Sequence, residues 1–324
     1  MKKNIALVTG GYSGEAEISY KSAKTVNANI NRDLFEVYQI DVNTKGWFYV
    51  NEKGENCTVN QQNFTIIIEN NEIKFDKILM CLHGTPGEDG KLQGYFDMLG
   101  LPYTSCNAAT SAITFNKRYT LAVAAFSGIC VAKSVHLFKE NSYNIANILN
   151  QIALPVFVKP NNGGSSLGMS KVVAESDLGV AIEKAFAVDN QVLVEEMIVG
   201  REFTVGVFKN DGEILVLPIT EIITENDFFD YEAKYLGKSQ EITPAIVTFA
   251  IEKQLTTAAK NIYEILNCSG VVRVDFIYND KEQLPYMLEI NTVPGQSEAS
   301  IIPQQVKAMG WTLEQFYTAV INNS

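Results

Sequence analysis

A short apolar run within positions 3–9 stops at Gly10-Gly11, and apolar residues then recur at helical spacing from 18 to 30. A strand, a glycine turn and a helix in that order open an α/β unit. Further strands are expected at 35–42 and 75–82, around a hairpin-rich insertion with polar turns at 46–73. The second of them ends at His83-Gly84, a short helix follows at 94–99, and Leu101-Pro102-Tyr103 leads out of the unit near residue 104. Residues 111–127 carry one helical pattern. A strand at 154–159, a glycine-serine loop at 161–168, a helix at 178–186 and a strand at 192–195 predict a small α+β unit. Strands follow at 201–209 and 214–220, then a polar stretch with little periodicity up to residue 241. A helix at 251–266, two apolar strands at 270–278 and 285–291, and helices at 300–309 and 312–321 complete the chain.

Composition narrows the function classes. At 324 residues the chain holds about two domains, with room for three. With 46% hydrophobic and 19% charged residues it can build ordinary globular cores. Its net charge of −11 argues against nonspecific binding to nucleic acid. A small polyanion stays open, because a metal and a few cations can offset the field locally. Five cysteines, an odd number with no C-x-x-C pair, point away from a disulfide framework or a zinc cluster and toward a reducing compartment. The apolar start is too short for a signal peptide. The longest apolar segment, 121–132, is too short to span a bilayer. A cytoplasmic address without a membrane partner is expected.

Candidate chemistry concentrates in the last two strands. A period of two puts Arg273 and Asp275 on one face of the first, and Glu289 and Asn291 on one face of the second. Paired as a hairpin, they offer two carboxylates and an amide oxygen, a hard-oxygen set that suits Mg²⁺. A plain hairpin with a polar outer face explains the same pattern. Arg273, one of four arginines, stands in a very apolar strand. There it either pairs with Asp275 or Glu289 or stabilises a developing oxyanion. The loop at 161–168 follows Lys159, so its backbone N–H groups and that lysine can cradle a phosphate. It is neither a Walker A loop nor G-x-G-x-x-G, and a flexible hairpin tip reads as well. Glu195 and Glu196 end a strand as a nucleotide clamp or as solvated acids, and Glu202 can reach a ribose. His83, in a glycine-rich loop, is a candidate for orienting a substrate. His136 reads as a surface or packing residue.

In order along the chain, Gly10 to Ser19, His83 to Gly90, Lys159 to Met169, Asp230 to Tyr235, Arg273-Val274-Asp275 and Leu288 to Gly295 resemble the ATP-grasp carboxylate–amine ligases. The closest resemblance, over nearly the whole chain, is to the D-alanine–D-alanine ligase family. That resemblance implies a three-domain ATP-grasp architecture of α/β and α+β units. Residues 1–104 would form an N-terminal parallel-sheet domain and 105–195 a central subdomain with the glycine-serine loop. Residues 196–324 would form a C-terminal subdomain with a lid at 224–241, and ATP would lie between the last two. ATP would phosphorylate one D-alanine, and the amine of a second would attack the acylphosphate to give D-alanyl-D-alanine for peptidoglycan.

By the same resemblance Glu15 holds the first ammonium, His83 lies near the first carboxylate, and Lys117 and Lys159 bind phosphate. Glu195 serves the adenine with Glu196 and Ile198 beside it, Glu202 serves the ribose, and Phe229 is an aromatic contact to adenine. Asp275, Glu289 and Asn291 match ligands of two Mg²⁺ or Mn²⁺ ions. Arg273 and the Gly295 N–H match oxyanion donors. Ser300 and Ile301 align with the second-substrate site, Lys234 and Tyr235 with the lid, and Ser165, Glu15 and Tyr235 with its latch. A homodimer is implied as well. Ala16, Glu196, Phe229, Val293 and Ala299 depart from the common pattern, which predicts altered affinities. A ligase using D-lactate or D-serine second, and a non-catalytic nucleotide- or amino-acid-binding protein, are the alternatives.

Overall fold

The first strand, β1 (Lys3–Gly10), is buried along six consecutive residues because both of its faces are covered. It lies between β2 (Phe35–Asn43) and β7 (Lys77–Met80), parallel to both. The computed structural model describes residues 2–51, 53–164, 167–224 and 239–323. Antiparallel β3 (Gly46–Val50) and β4 (Asn56–Thr58) extend this sheet to the order β4-β3-β2-β1-β7. A separate hairpin, β5 (Ile66–Ile68) with β6 (Asn71–Ile73), belongs to the expected insertion. On one face of the sheet, Ala6, Val8, Ile40 and Ile78 pack against Phe64, Phe75 and Phe96, the last from α2 (Lys91–Leu99). On the other, Ile5, Leu7 and Leu79 meet Ala23 and Val26 of α1 (Ala16–Ala28).

The helical pattern at 111–127 resolves into two helices, α3 (Ala108–Phe115) and α4 (Lys117–Phe126). Asn116 breaks it by leaving the helical region (φ −95°, ψ 103°) and capping the second helix through its side chain. The central sheet is antiparallel, in the order β10 (Ser170–Val172), β9 (Val156–Pro160), β11 (Gln191–Glu196), β8 (Ser134–Phe138). Val156, Val158, Val192 and Val194 pack on α6 (Glu175–Phe186) and on Ile148 of α5 (Ile145–Leu149). Phe157, Lys159 and Glu195 alternate onto the opposite face.

The third sheet runs β15 (Ser239–Ile242), β14 (Thr220–Thr224), β12 (Arg201–Asn210), β16 (Val272–Asn279), β17 (Leu284–Asn291), with β13 (Glu213–Val216) also on β12. The strand expected at 214–220 is divided between β13 and β14. Phe203, Val205, Val274 and Phe276 face α7 (Phe249–Ile265). α8 (Ile301–Ala308) and α9 (Leu313–Asn322) return to the N-terminal unit, where Phe316, Val320 and Ile321 share a core with Ile5, Leu7 and Val26.

Candidate active site

The β16–β17 hairpin sets Arg273 opposite Asn291 and Asp275 opposite Glu289. A bulge between Asp275 and Phe276 lets the register absorb one extra residue, so Glu289 faces the same way as Asp275. Arg273 Nε and Nη2 donate to the two oxygens of Asp275 at 2.9 and 2.7 Å. The Thr204 hydroxyl donates to the same carboxylate. Asn291 Nδ2 lies 3.4 Å from Asp275 Oδ2. The ion pair read as one alternative for Arg273 is therefore present. Both Asp275 oxygens accept two hydrogen bonds each, and a cation bound there would take the place of the Thr204 or Asn291 bond. Asp275, Glu289 and Asn291 form a donor set of the hard-oxygen kind, and it fits Mg²⁺ or Mn²⁺.

This face borders two adjoining cavities. One, of about 390 Å³, opens among all three sheets and is lined by Glu15, His83, Arg273, Gly295, Ser300 and Ile301, among others. The second, of about 130 Å³, lies between the central and third sheets and is lined by Lys159, Glu195, Glu196, Ile198 and Leu288 among others. Lys117, Gly163, Gly164, Glu202, Asp275 and Glu289 line both, so they mark the junction.

Glu15 is the N-cap of α1, yet its side chain makes no capping bond. Its carboxylate lies against two glycines from different loops. A Cβ at Gly84 would stand 2.7 Å from Oε2, and one at Gly164 would stand 2.7 Å from Oε1. Gly84 also has φ +69°, which side chains rarely adopt. Glu88, not singled out by the sequence reading, shares this corner. Its Oε2 accepts from the Gly84 N–H at 2.6 Å and its Oε1 from the Val293 N–H at 3.3 Å. Burial, then the charge of Glu15, lifts its carboxyl above the usual range, against those two N–H groups and Arg273. Glu88 lies within the flagged stretch from His83 to Gly90, so its sequence signal was position in that loop.

His83 is buried, and both ring nitrogens take protein partners. Nδ1–H donates to the Val293 carbonyl at 2.7 Å, and Nε2 accepts from the Ser22 hydroxyl at 2.9 Å. Burial holds its pKa down at about 4, so the ring is neutral near pH 7. His136 is exposed and bonds Ser134 of its own strand.

In the narrower cleft, Lys159 forms an ion pair with Glu195. Glu196 instead accepts from the Lys133 backbone N–H at 2.8 Å. The Lys117 ammonium donates to the Gly163 carbonyl at 2.7 Å. The first N–H groups of α4 are all used. Those of Lys117 and Arg118 go to the Asn161 carbonyl and side chain, and those of Tyr119 and Thr120 to the Asn116 side chain and carbonyl. The helix start is thus docked on the glycine loop, and the lysine, not the helix end, brings positive charge to the cleft. Ser300 is the N-cap of α8, its Oγ 2.7 Å from Ser297 Oγ, and a Cβ on Gly295 would lie 2.9 Å from Ser300 Oγ. Ser165, Phe229, Lys234 and Tyr235, with most of the expected lid, lie outside the described residues.

The chain matches the D-ala D-ala ligase N-terminus over residues 4–106 and the D-ala D-ala ligase C-terminus over residues 115–322. It belongs to the D-alanine–D-alanine ligase family. It is 45% identical to the D-alanine–D-alanine ligase of Flavobacterium johnsoniae, covering 99% of both chains. It is 41% identical to that of Parabacteroides distasonis, covering 100% of this chain and 98% of the relative. Its fold superposes on the VanG D-Ala:D-Ser ligase from Enterococcus faecalis with a TM-score of 0.89, at 33% identity and 99% coverage of both. The D-alanine–D-alanine ligase from Bacillus anthracis complexed with ATP gives 0.79 at 26% identity, over 99% of this chain and 97% of that one. In this family member the mixed α/β sheets are those of the ATP-grasp fold. Among the described residues no helix is long and apolar enough to cross a membrane.

Proposed function

We propose that the protein joins two D-alanine molecules at the expense of ATP, through a D-alanyl phosphate. The observation that carries this reading is the junction of the two cavities at Lys117, Gly163, Gly164, Glu202, Asp275 and Glu289. A nucleotide in the narrower cleft would present its terminal phosphate to an amino acid in the wider one. Glu15, wedged between Gly84 and Gly164, receives the first ammonium. Lys117 and Lys159 supply point charges to the phosphates, with Glu195 and Glu202 toward adenine and ribose. Arg273 and the Gly295 N–H stabilise the oxyanion that forms when the second amine attacks. Phosphate then leaves. Asp275, Glu289 and Asn291 would hold Mg²⁺ or Mn²⁺, two ions by family resemblance, which offset the triphosphate charge. His83, with both nitrogens committed, orders the loop carrying Val293 and Gly295 from behind the substrate.

The division at residues 104 and 195, a homodimeric state and a cytoplasmic address belong to the same reading. The family match and the 37–46% identities to D-alanine–D-alanine ligases favour D-alanine as second substrate over D-lactate or D-serine. ADP release is the test, with D-alanine, L-alanine and D-lactate side by side and the product identified by mass. Release with D-alanine and a divalent metal, none with L-alanine, and D-alanyl-D-alanine as product are expected. No ADP with D-alanine across pH and metal would end the proposal.

A further inference from the structure

The third sheet carries one more acid on its site-facing side. Across the sheet Glu241 of β15 stands beside Ile222 of β14, and Ile222 beside Glu202 of β12. Neighbours across strands point the same way, so Glu241 shares the face of Glu202, Thr204 and Asp275, and it lines the wider cavity. It stands three strand spacings, roughly 14 Å, from the strand of Asp275, beyond reach of any ion held there. Its surroundings are those of the α8 N-terminus instead. Gln304 Nε2 donates to Glu241 Oε2 at 2.6 Å and also to the Ala299 carbonyl at 3.0 Å. One amide nitrogen therefore anchors the carboxylate beside the turn that carries Ser300 and Ile301. A helix N-terminus favours a carboxylate, and a zwitterion placed there needs an acid close by for its ammonium.

We propose that Glu241 receives the ammonium of the second amino acid, as Glu15 receives that of the first, and so selects an amino acid over a hydroxy acid. This rests on the two-substrate reading above. An amino acid docked with its carboxylate at the α8 N-terminus has a charged partner for its cationic end. D-lactate offers only a hydroxyl, and its single negative charge meets Glu241 unfavourably.

The test is steady-state kinetics on the full chain at saturating ATP, resolving the two D-alanine constants, with D-lactate as competitor. Glu241→Gln keeps the shape and the bond to Gln304 while removing the charge. It is expected to raise the second-site KM at least tenfold, leave the first-site KM and kcat within threefold, and raise the fraction of ester product. Glu241→Asp should fall between wild type and Glu241→Gln. Gln304→Met, which removes the tie and keeps the acid, should hold the second-site KM within threefold. An unchanged second-site KM in Glu241→Gln overturns the proposal. So does a parallel rise of both constants, or a Gln304→Met variant that reproduces the Glu241→Gln result. Wild-type protein that releases no ADP with D-alanine instead sinks the underlying function, which separates the two failures.

Discussion

A histidine whose two nitrogens are both spent on protein partners titrates as part of the fold. Neutral His83 donates to the Val293 carbonyl and accepts from Ser22, while Ser22 in turn accepts from the Gln296 N–H at 3.0 Å. The imidazolium would lose the Ser22 bond and sit charged in a buried site. Its folded pKa of about 4 lies below the model-peptide value of 6.5. The unfolded chain therefore binds a proton first as pH falls. The stability this neutral ring contributes is complete above pH 6.5 and is lost as pH drops toward 4. The lost amount is roughly 3 kcal/mol over that window. Urea unfolding at pH 7 and pH 4.5 should show this acid loss in wild type and a shallower one in His83→Gln. Equal slopes in the two proteins would assign the acid sensitivity elsewhere. The sequence placed His83 in a glycine-rich loop but could not show Ser22 and Val293, which arrive from an N-terminal helix and a C-terminal loop.

Between α3 and α4 a single residue decides the geometry of Lys117, the proposed phosphate ligand. The pattern through 111–127 is helical on both sides of Asn116, so periodicity alone predicts one helix. Asn116 ends the first and caps the second, and that turn aims Lys117 at Gly163. Removing the cap with Asn116→Ala should cost about 1 kcal/mol of stability, read as a lower urea midpoint. It should also weaken ATP binding by loosening Lys117, with less effect on the first-site KM for D-alanine. A variant with normal stability and normal KM for ATP would dissociate the cap from the lysine. Strands were read more faithfully than this helix break. β1, β16 and β17 announce themselves by runs and alternation, because burial on one or both faces writes its period into the residues. The bulge at Asp275 left no such mark, although it sets Glu289 opposite Asp275.

At the scale of the whole molecule, the narrower cleft is made by two sheets that touch few of each other's residues directly. A nucleotide between them would act as a cross-link. With metal, a non-hydrolysable ATP analogue at a hundredfold excess over Kd should stabilise the protein by about 2.7 kcal/mol. Glu289→Gln should lose most of that gain, and its turnover should fall by orders of magnitude while the unliganded protein stays folded. A thermal-shift series with and without metal reads the first effect. A full ligand-induced shift in Glu289→Gln would remove Glu289 from the metal set.

The sequence by itself determined most of the longer elements, the polar faces of the last hairpin and the order of motifs that marks the family. Those features are local, and each is written in a few consecutive residues. Only the tertiary structure decided what meets what. The core of the N-terminal sheet is completed by α9 from the far end of the chain, Glu15 is seated between Gly84 and Gly164, and Glu241 is brought beside Gln304. These contacts join segments separated by tens to hundreds of residues. Such pairings are set by how the whole chain fills its interior and satisfies its buried polar groups, which no short window of residues records.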